Sequence, residues 1–212
     1  MATTIYLTNS APSHITNPDF TANEKLEARV GVRGSGLSTG ITDTVAGTTT
    51  QLTRDTASDV EIDWYTPPLN AVTIGATSMT FNAWMSESNM SANVGAWYKI
   101  DQVDNEGSLI DTIYTNGKGT ELPTTTRAAQ NWTGTATSRV LAAGDRIRIR
   151  VYGADLTEAA GFTFNCGFAG ITAAADGDSW VQFTETITEL VTSLNMDLFE
   201  RQTPRRRTIQ RM

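Results

Sequence analysis

The sequence predicts an all-β protein, an antiparallel two-sheet sandwich of jelly-roll type with an extended or partly helical C-terminal arm. Three observations predict it. Behind a Gly144-Asp145 turn, Ile147, Ile149 and Val151 alternate strictly with Arg146, Arg148 and Arg150, the period-2 pattern of a strand with one buried and one wet face. Similar stretches recur at short spacing between turn residues, about ten in all, with no convincing helix in the body. Charged residues make up only 18% of the chain, and the deficit is filled by Thr, Ser, Asn and Gly, which suit strands and turns.

Taken in order, residues 3–8 read as a first strand and 25–32 as a second, across a polar, Pro-containing stretch. Residues 33–49 are rich in Gly and Thr and read as a long loop. Strands follow at 59–65 and 70–75, separated by Pro67-Pro68, which cannot donate to a ladder. Residues 79–87 alternate again. Residues 94–103 and 107–114 flank Asp104-Asn105-Glu106-Gly107, a hairpin signal because Asn and Gly accept positive φ. Residues 130–141 lead into 145–152, and the body closes with 162–168 and 179–187. The body domain is thus 1–188 and the arm 189–212. In the arm Leu190, Leu194 and Leu198 keep an i, i+4 spacing, yet Leu194, Met196 and Leu198 alternate as in a strand. Pro204 ends either element.

Charge sets off the end of the arm. The formal net charge is −7. Residues 201–212 hold five arginines (Arg201, Arg205, Arg206, Arg207 and Arg211) and no acid, which leaves 11 basic against 23 acidic groups in residues 1–200, a net of −12. An acidic body is unsuited to nucleic acid, which demands a basic face. No stretch has the roughly 20 apolar residues of a membrane helix. Cys166 is the single cysteine, so no intrachain disulfide forms and a buried thiol is expected. The N-terminus lacks a signal-peptide pattern. Together these imply a soluble protein made in a reducing cytosol, with no membrane partner.

The residues offer little chemistry. His14 is the only histidine, so a triad would need it as base, with a Ser or Cys166 as nucleophile; a solvated loop histidine is the simpler reading. Zinc would need more His and Cys. Glu61 with Asp63, or Glu185 with Glu189, supply carboxylates for a glycosidase, but such acids are usually solvated. Asp176-Gly177-Asp178-Ser179 is too short for a calcium loop and reads as a turn. Gly31 to Gly36 is no phosphate loop. Trp64, Trp84, Trp97, Trp132 and Trp180 belong mostly to the core or its edge, and a sugar-binding platform would instead leave Trp132 or Trp97 open. The arginines of 146–150 form a cross-strand charge ladder with acids on neighbouring strands, or else dock on an acidic neighbour. No catalytic residue, metal ligand or cofactor is assigned.

Several stretches resemble a family of bacteriophage virion proteins with β-sandwich bodies. They are residues 1–9; Trp64-Tyr65-Thr66-Pro67-Pro68-Leu69; Met79 to Trp84 with Glu87-Ser88-Asn89 and Ala92-Asn93; Gly144 to Ile147; and Gly177-Asp178-Ser179-Trp180-Val181 with Glu185-Thr186-Ile187. The resemblance implies a structural, non-enzymatic virion component with no catalytic residues to carry over. The foremost role is capsid decoration or cement, and the alternatives are a tail or baseplate protein or a carbohydrate-binding module of a receptor-binding or head fibre. The expected partners are copies of the chain and other virion proteins, foremost the major capsid protein, with surface glycans a further class. Leu190, Leu194, Leu198 and Phe199 would bury against the partner, while Arg201, Arg205, Arg206, Arg207 and Arg211 pair with its acids.

Overall fold

The computed structural model describes residues 1–12, 15–16, 24–34, 38–40, 44–45, 60–87, 94–115, 121–122, 126–155 and 162–191. Among them the chain is all strand and turn, with no helix. The strands are β1 (Thr3–Leu7), β2 (Glu24–Val30), β3 (Ser38–Gly40), β4 (Thr44–Val45), β5 (Val60–Tyr65), β6 (Val72–Ile74) and β7 (Ser78–Glu87). There follow β8 (Val94–Val103), β9 (Leu109–Thr115), β10 (Ala128–Thr135), β11 (Arg139–Leu141), β12 (Arg146–Asp155), β13 (Phe162–Phe168) and β14 (Trp180–Phe183). The sequence placed most of these, but β3 and β4 fall in the stretch read as one long loop. Their Ser, Thr and Gly carry no apolar alternation, and they are strands because β13 offers them an edge.

Twelve strands share one continuous hydrogen-bonded sheet running β3-β13-β7-β14-β1-β2-β5-β12-β8-β9, with β10 on the other edge of β7 and β4 on β13. β6 and β11 form a separate pair. The long sheet folds over on itself as a sandwich. Phe81 of β7 and Tyr98 of β8 stand far apart in strand order, yet their rings lie 4.5 Å apart. Trp132 stacks on Phe81 at 5.4 Å, and Trp64 meets Phe168 edge-on at 5.2 Å. Ile5, Leu7, Ile62, Ile100, Ile147, Ile149, Val151, Val181 and Phe183 fill the remaining core. One pairing departs from the antiparallel expectation. β2 runs parallel to β5, with Leu26 opposite Trp64, and so joins the two layers. At the expected hairpin, Gly107 takes φ +102° and Asp104 Oδ1 accepts three successive backbone N–H groups from Glu106, Gly107 and Ser108.

The polar face of β12 is dry, which corrects the expectation of a wet face. Arg146, Arg148 and Arg150 are 1%, 0% and 0% exposed. The charge ladder itself is present, because the register sets Arg148 opposite Asp101 of β8 and Arg150 opposite Asp63 of β5. Arg150 donates Nε to Asp63 Oδ1 at 2.7 Å and Nη2 to Oδ2 at 2.9 Å. Arg148 donates Nε and Nη2 to Asp101 Oδ2 at 3.2 and 2.8 Å. Burial and neighbouring Arg150 pull the Arg148 pKa down, but Asp63 and Asp101 outweigh them and leave it raised. Arg146 donates to the carbonyls of Thr66 and Asn105 and to Asn105 Oδ1, and burial lowers its pKa. Buried pairs of this kind repay their desolvation only when the geometry and the remaining hydrogen bonds are good.

Two predictions follow from this packing. Arg150→Met strands the Asp63 carboxylate and costs about 3–5 kcal/mol in denaturant unfolding, whereas Arg150→Met with Asp63→Leu recovers most of the loss. Glu185 supplies the second. Burial raises its pKa, but donors outweigh that, among them the Thr77 hydroxyl at 2.7 Å and the Gly75 N–H at 2.9 Å, and hold it below the usual carboxylate value. A depressed carboxylate stabilises the fold above its unfolded pKa, about 4.3, and that stability is lost as pH falls through the lower folded value. Stability measured against pH will therefore show Glu185→Gln less stable than the parent at neutral pH, with the gap closing below about pH 4.3.

Candidate functional site

Alternation on four neighbouring strands builds one outward row. Tyr6 of β1 stands opposite Trp180 of β14, Trp180 opposite Asn82 of β7, and Asn82 opposite Asn131 of β10. The next row out holds Thr4, Gln182, Thr80 and Thr133. Arg33 and the turn at Ala173, Ala174 and Asp178 rise beside these rows and border an open cleft of about 300 Å³ lined also by Thr4, Tyr6, Asn82, Trp180 and Gln182. Asp178 organises the rim. Its Oδ1 accepts from Arg33 Nε at 2.9 Å and its Oδ2 from the Ala174 N–H at 2.9 Å. The guanidinium of Arg33 also sits 4.5 Å over the Tyr6 ring, a cation–π contact. Hydrogen bonding to Asp178 raises the Arg33 pKa in spite of partial desolvation.

The rim turn is strained and pinned. Ala169 and Ala174 take φ +62° and +58°, where a non-glycine residue is uncommon. The Ala169 N–H donates to Leu7 O at 2.9 Å, and Gly170 N–H to Gly177 O at 2.8 Å. A side chain on Gly170 would stand 2.7 Å from the Gly177 and Asp178 backbone, so the turn closes only with glycine there. Below it, Ser179 Oγ donates to Gly167 O at 2.7 Å and accepts the Trp84 N–H at 3.1 Å. At the cleft floor Asn82 is 8% exposed; its Nδ2 donates to Asp178 O at 3.4 Å, while Oδ1 is buried with no partner among the described residues. A buried acceptor left so costs about 1–3 kcal/mol.

Of the residues assigned to the arm, only Leu190 is described; Leu194, Leu198, Phe199, Arg201, Arg205, Arg206, Arg207 and Arg211 lie outside the described residues, as does His14. Leu190 is half-buried and its N–H donates to Pro68 O at 2.7 Å. The root of the arm is fastened to the body. Glu189 accepts Arg29 Nε and Nη2, each at 3.0 Å, and the Val30 N–H at 3.0 Å, and it bridges to Leu69.

The other candidates resolve into structural roles. Asp63 is spent on Arg150, Glu185 on Gly75 and Thr77, and Glu189 on Arg29. In the Asp176-Gly177-Asp178 turn the acids pair with Arg127 and Arg33. Among the described residues no three His, Cys, Asp or Glu side chains gather as a metal site. Cys166 is buried. Trp64 is fully buried and Trp132 packs on the core, while Trp84, Trp97 and Trp180 are half-buried. Trp132 therefore does not make the open platform that sugar binding was expected to need. The aromatic side chains that line the cleft are Trp180 and Tyr6, which sequence reasoning missed as a site. Trp180 was visible as one of five tryptophans behind Gly177-Asp178-Ser179; nothing local linked it to Tyr6.

No protein-family model matches the chain, and no curated protein matches it. Among solved structures, the fold is similar to a CocE/NonD family hydrolase from Staphylococcus aureus, at TM-score 0.53 and 11% identity over 86% of this chain. A second structure of the CocE/NonD family hydrolase gives TM-score 0.50 at 12% identity. An alpha-amino acid ester hydrolase gives TM-score 0.50 at 11% identity over 84% of this chain. The chain spans only 36%, 36% and 35% of the length of these proteins. Identities this low concern the fold alone. They nevertheless correct the expectation of a non-enzymatic protein, because this sandwich recurs within hydrolases and so gives no ground for excluding an enzyme.

The rim supplies a further prediction. Asp178→Ala removes the acceptor for both Arg33 and the Ala174 N–H, costing about 1–3 kcal/mol. Hydrogen exchange will show protection lost first at Ala174, with the β12 amides retaining theirs.

Proposed function

We propose that the chain is a structural component of a phage virion, with the sandwich as a rigid mount and the basic C-terminal arm as a clasp on neighbouring subunits. The observation that carries this reading is the charge division. A body of net −12 over residues 1–200 continues into a segment with five arginines and no acid. Opposite charges on the two parts of one chain attract copies of that chain and other acidic assemblies. The fastening of Glu189 to Arg29 and Val30 supports it further, since a clasp transmits force only from a fixed root. Repetition of weak contacts over many copies adds by avidity. Within a particle, decoration of the capsid is the leading role and a tail or baseplate position the alternative. The ordered series of motifs resembling phage virion proteins is the remaining support.

The hydrolase neighbours favour a second reading, in which the sandwich is one domain of an ester-hydrolysing assembly. Turnover of p-nitrophenyl acetate by the purified full chain, above buffer, would favour it.

The virion reading is tested by cutting after Val191, beyond the fastened root. The shortened chain is expected to keep the melting behaviour of the parent and to be missing from purified particles. Reversing Arg205, Arg206 and Arg207 to Glu is expected to reduce its copy number in them. Full occupancy by the shortened chain would overturn the clasp.

A further inference from the structure

The cleft between Arg33 and the 173–178 turn has three properties that together define a ligand. The first is charge. Its two ionic side chains, Arg33 and Asp178, bond to one another at 2.9 Å. An anionic ligand would have to compete with Asp178 for Arg33, and a cation would have to compete with Arg33 for Asp178. A nucleic acid would also face the −12 of the body.

The second property is the floor. Asn82 is more than nine-tenths buried and lines the cleft as a neutral amide, and no charged side chain lies there besides the Arg33–Asp178 pair.

The third is the mixture of surfaces. Half-buried Trp180 offers apolar aromatic area beside the amide of Gln182 and the hydroxyl of Thr4, which are joined by a 3.1 Å hydrogen bond, while Tyr6 lies beneath Arg33 at the edge. Aromatic side chains present an apolar body to C–H groups, while amides and hydroxyls both donate and accept. A cleft of about 300 Å³ is at the small end of ligand sites and suits one or two rings.

We propose that this cleft binds a neutral saccharide. A sugar ring rests against Trp180, and its hydroxyls bond the Gln182 amide and the Thr4 hydroxyl. Arg33 and Asp178 are positioning residues that hold the rim. This site does not depend on the virion reading, because it is measured on the isolated chain rather than on particles.

The test is calorimetric titration of the full chain with maltotriose, cellotriose, lactose and chitotriose, with tryptophan fluorescence as a parallel readout. At least one is expected to bind at about 1 mM or tighter. Trp180→Ala is expected to abolish binding, and Gln182→Ala to weaken it tenfold or more. Gln182 is exposed and outside the core, so Gln182→Ala decides the matter should Trp180→Ala fold poorly. Glucose 6-phosphate is expected to bind no tighter than the neutral sugars. Failure of all four sugars, binding unchanged in Gln182→Ala, or tighter binding of a single-stranded oligonucleotide would overturn the proposal.

Discussion

The pairing of Arg148 with Asp101 and of Arg150 with Asp63 constrains the rest of the structure. β12 is a central strand with β5 on one side and β8 on the other, and each neighbour supplies one carboxylate. The guanidiniums are tolerable in a dry layer only while both neighbours hold their register. A slip of one residue on β12 would turn its arginines into the core and Ile147, Ile149 and Val151 out of it. The charges act less as a source of stability than as a penalty on every other alignment, the role for which buried ionic groups are best attested. Thr66 completes the arrangement: its carbonyl accepts Arg146 and its hydroxyl accepts the Ile147 N–H at 2.9 Å.

From this fixed centre the second layer is placed through β2. Its parallel pairing with β5 and antiparallel pairing with β1 carry the alignment of one layer into the other. Trp64, next along the chain from Asp63, donates Nε1 to Thr8 O at 3.1 Å and packs on Phe168. Phe168 ends β13, and the turn that follows it forms the cleft rim. The position of the rim thus descends from the charged layer through Trp64 and Phe168, two contacts away.

How far the sequence foretold this depends on which interactions were local. The inward face of β12, the Asp104–Gly107 hairpin and the alternation of β7 each involve neighbours within a few residues, and each was legible. The dryness of the arginine face was not, because alternation reports that one face is polar and not what lies over it. The β2–β5 pairing was invisible for a similar reason: Leu26 and Trp64 are joined only by the fold. The cleft was hidden most completely. Tyr6, Asn82 and Trp180 lie on three strands from three parts of the chain, and each reads alone as an ordinary strand residue. Only Trp180 standing beside the neutralised Arg33–Asp178 pair singles the place out, and that is a property of the assembled site.

The cleft and the root of the arm are also neighbours. Arg29, which grips Glu189, stands opposite Tyr6 in the β1–β2 ladder, and Tyr6 is the aromatic side chain beneath Arg33. One strand therefore separates the point where the arm leaves from the floor of the cleft. The root pair is backed on both sides. The Leu190 N–H holds Pro68 O at 2.7 Å one residue nearer the arm, and Glu27 stands 3.7 Å from Arg29 as a second acid. Any load reaching residue 191 therefore meets a backbone bond before the ion pair, and the charge of Arg29 stays answered beside the Tyr6–Arg33 stack.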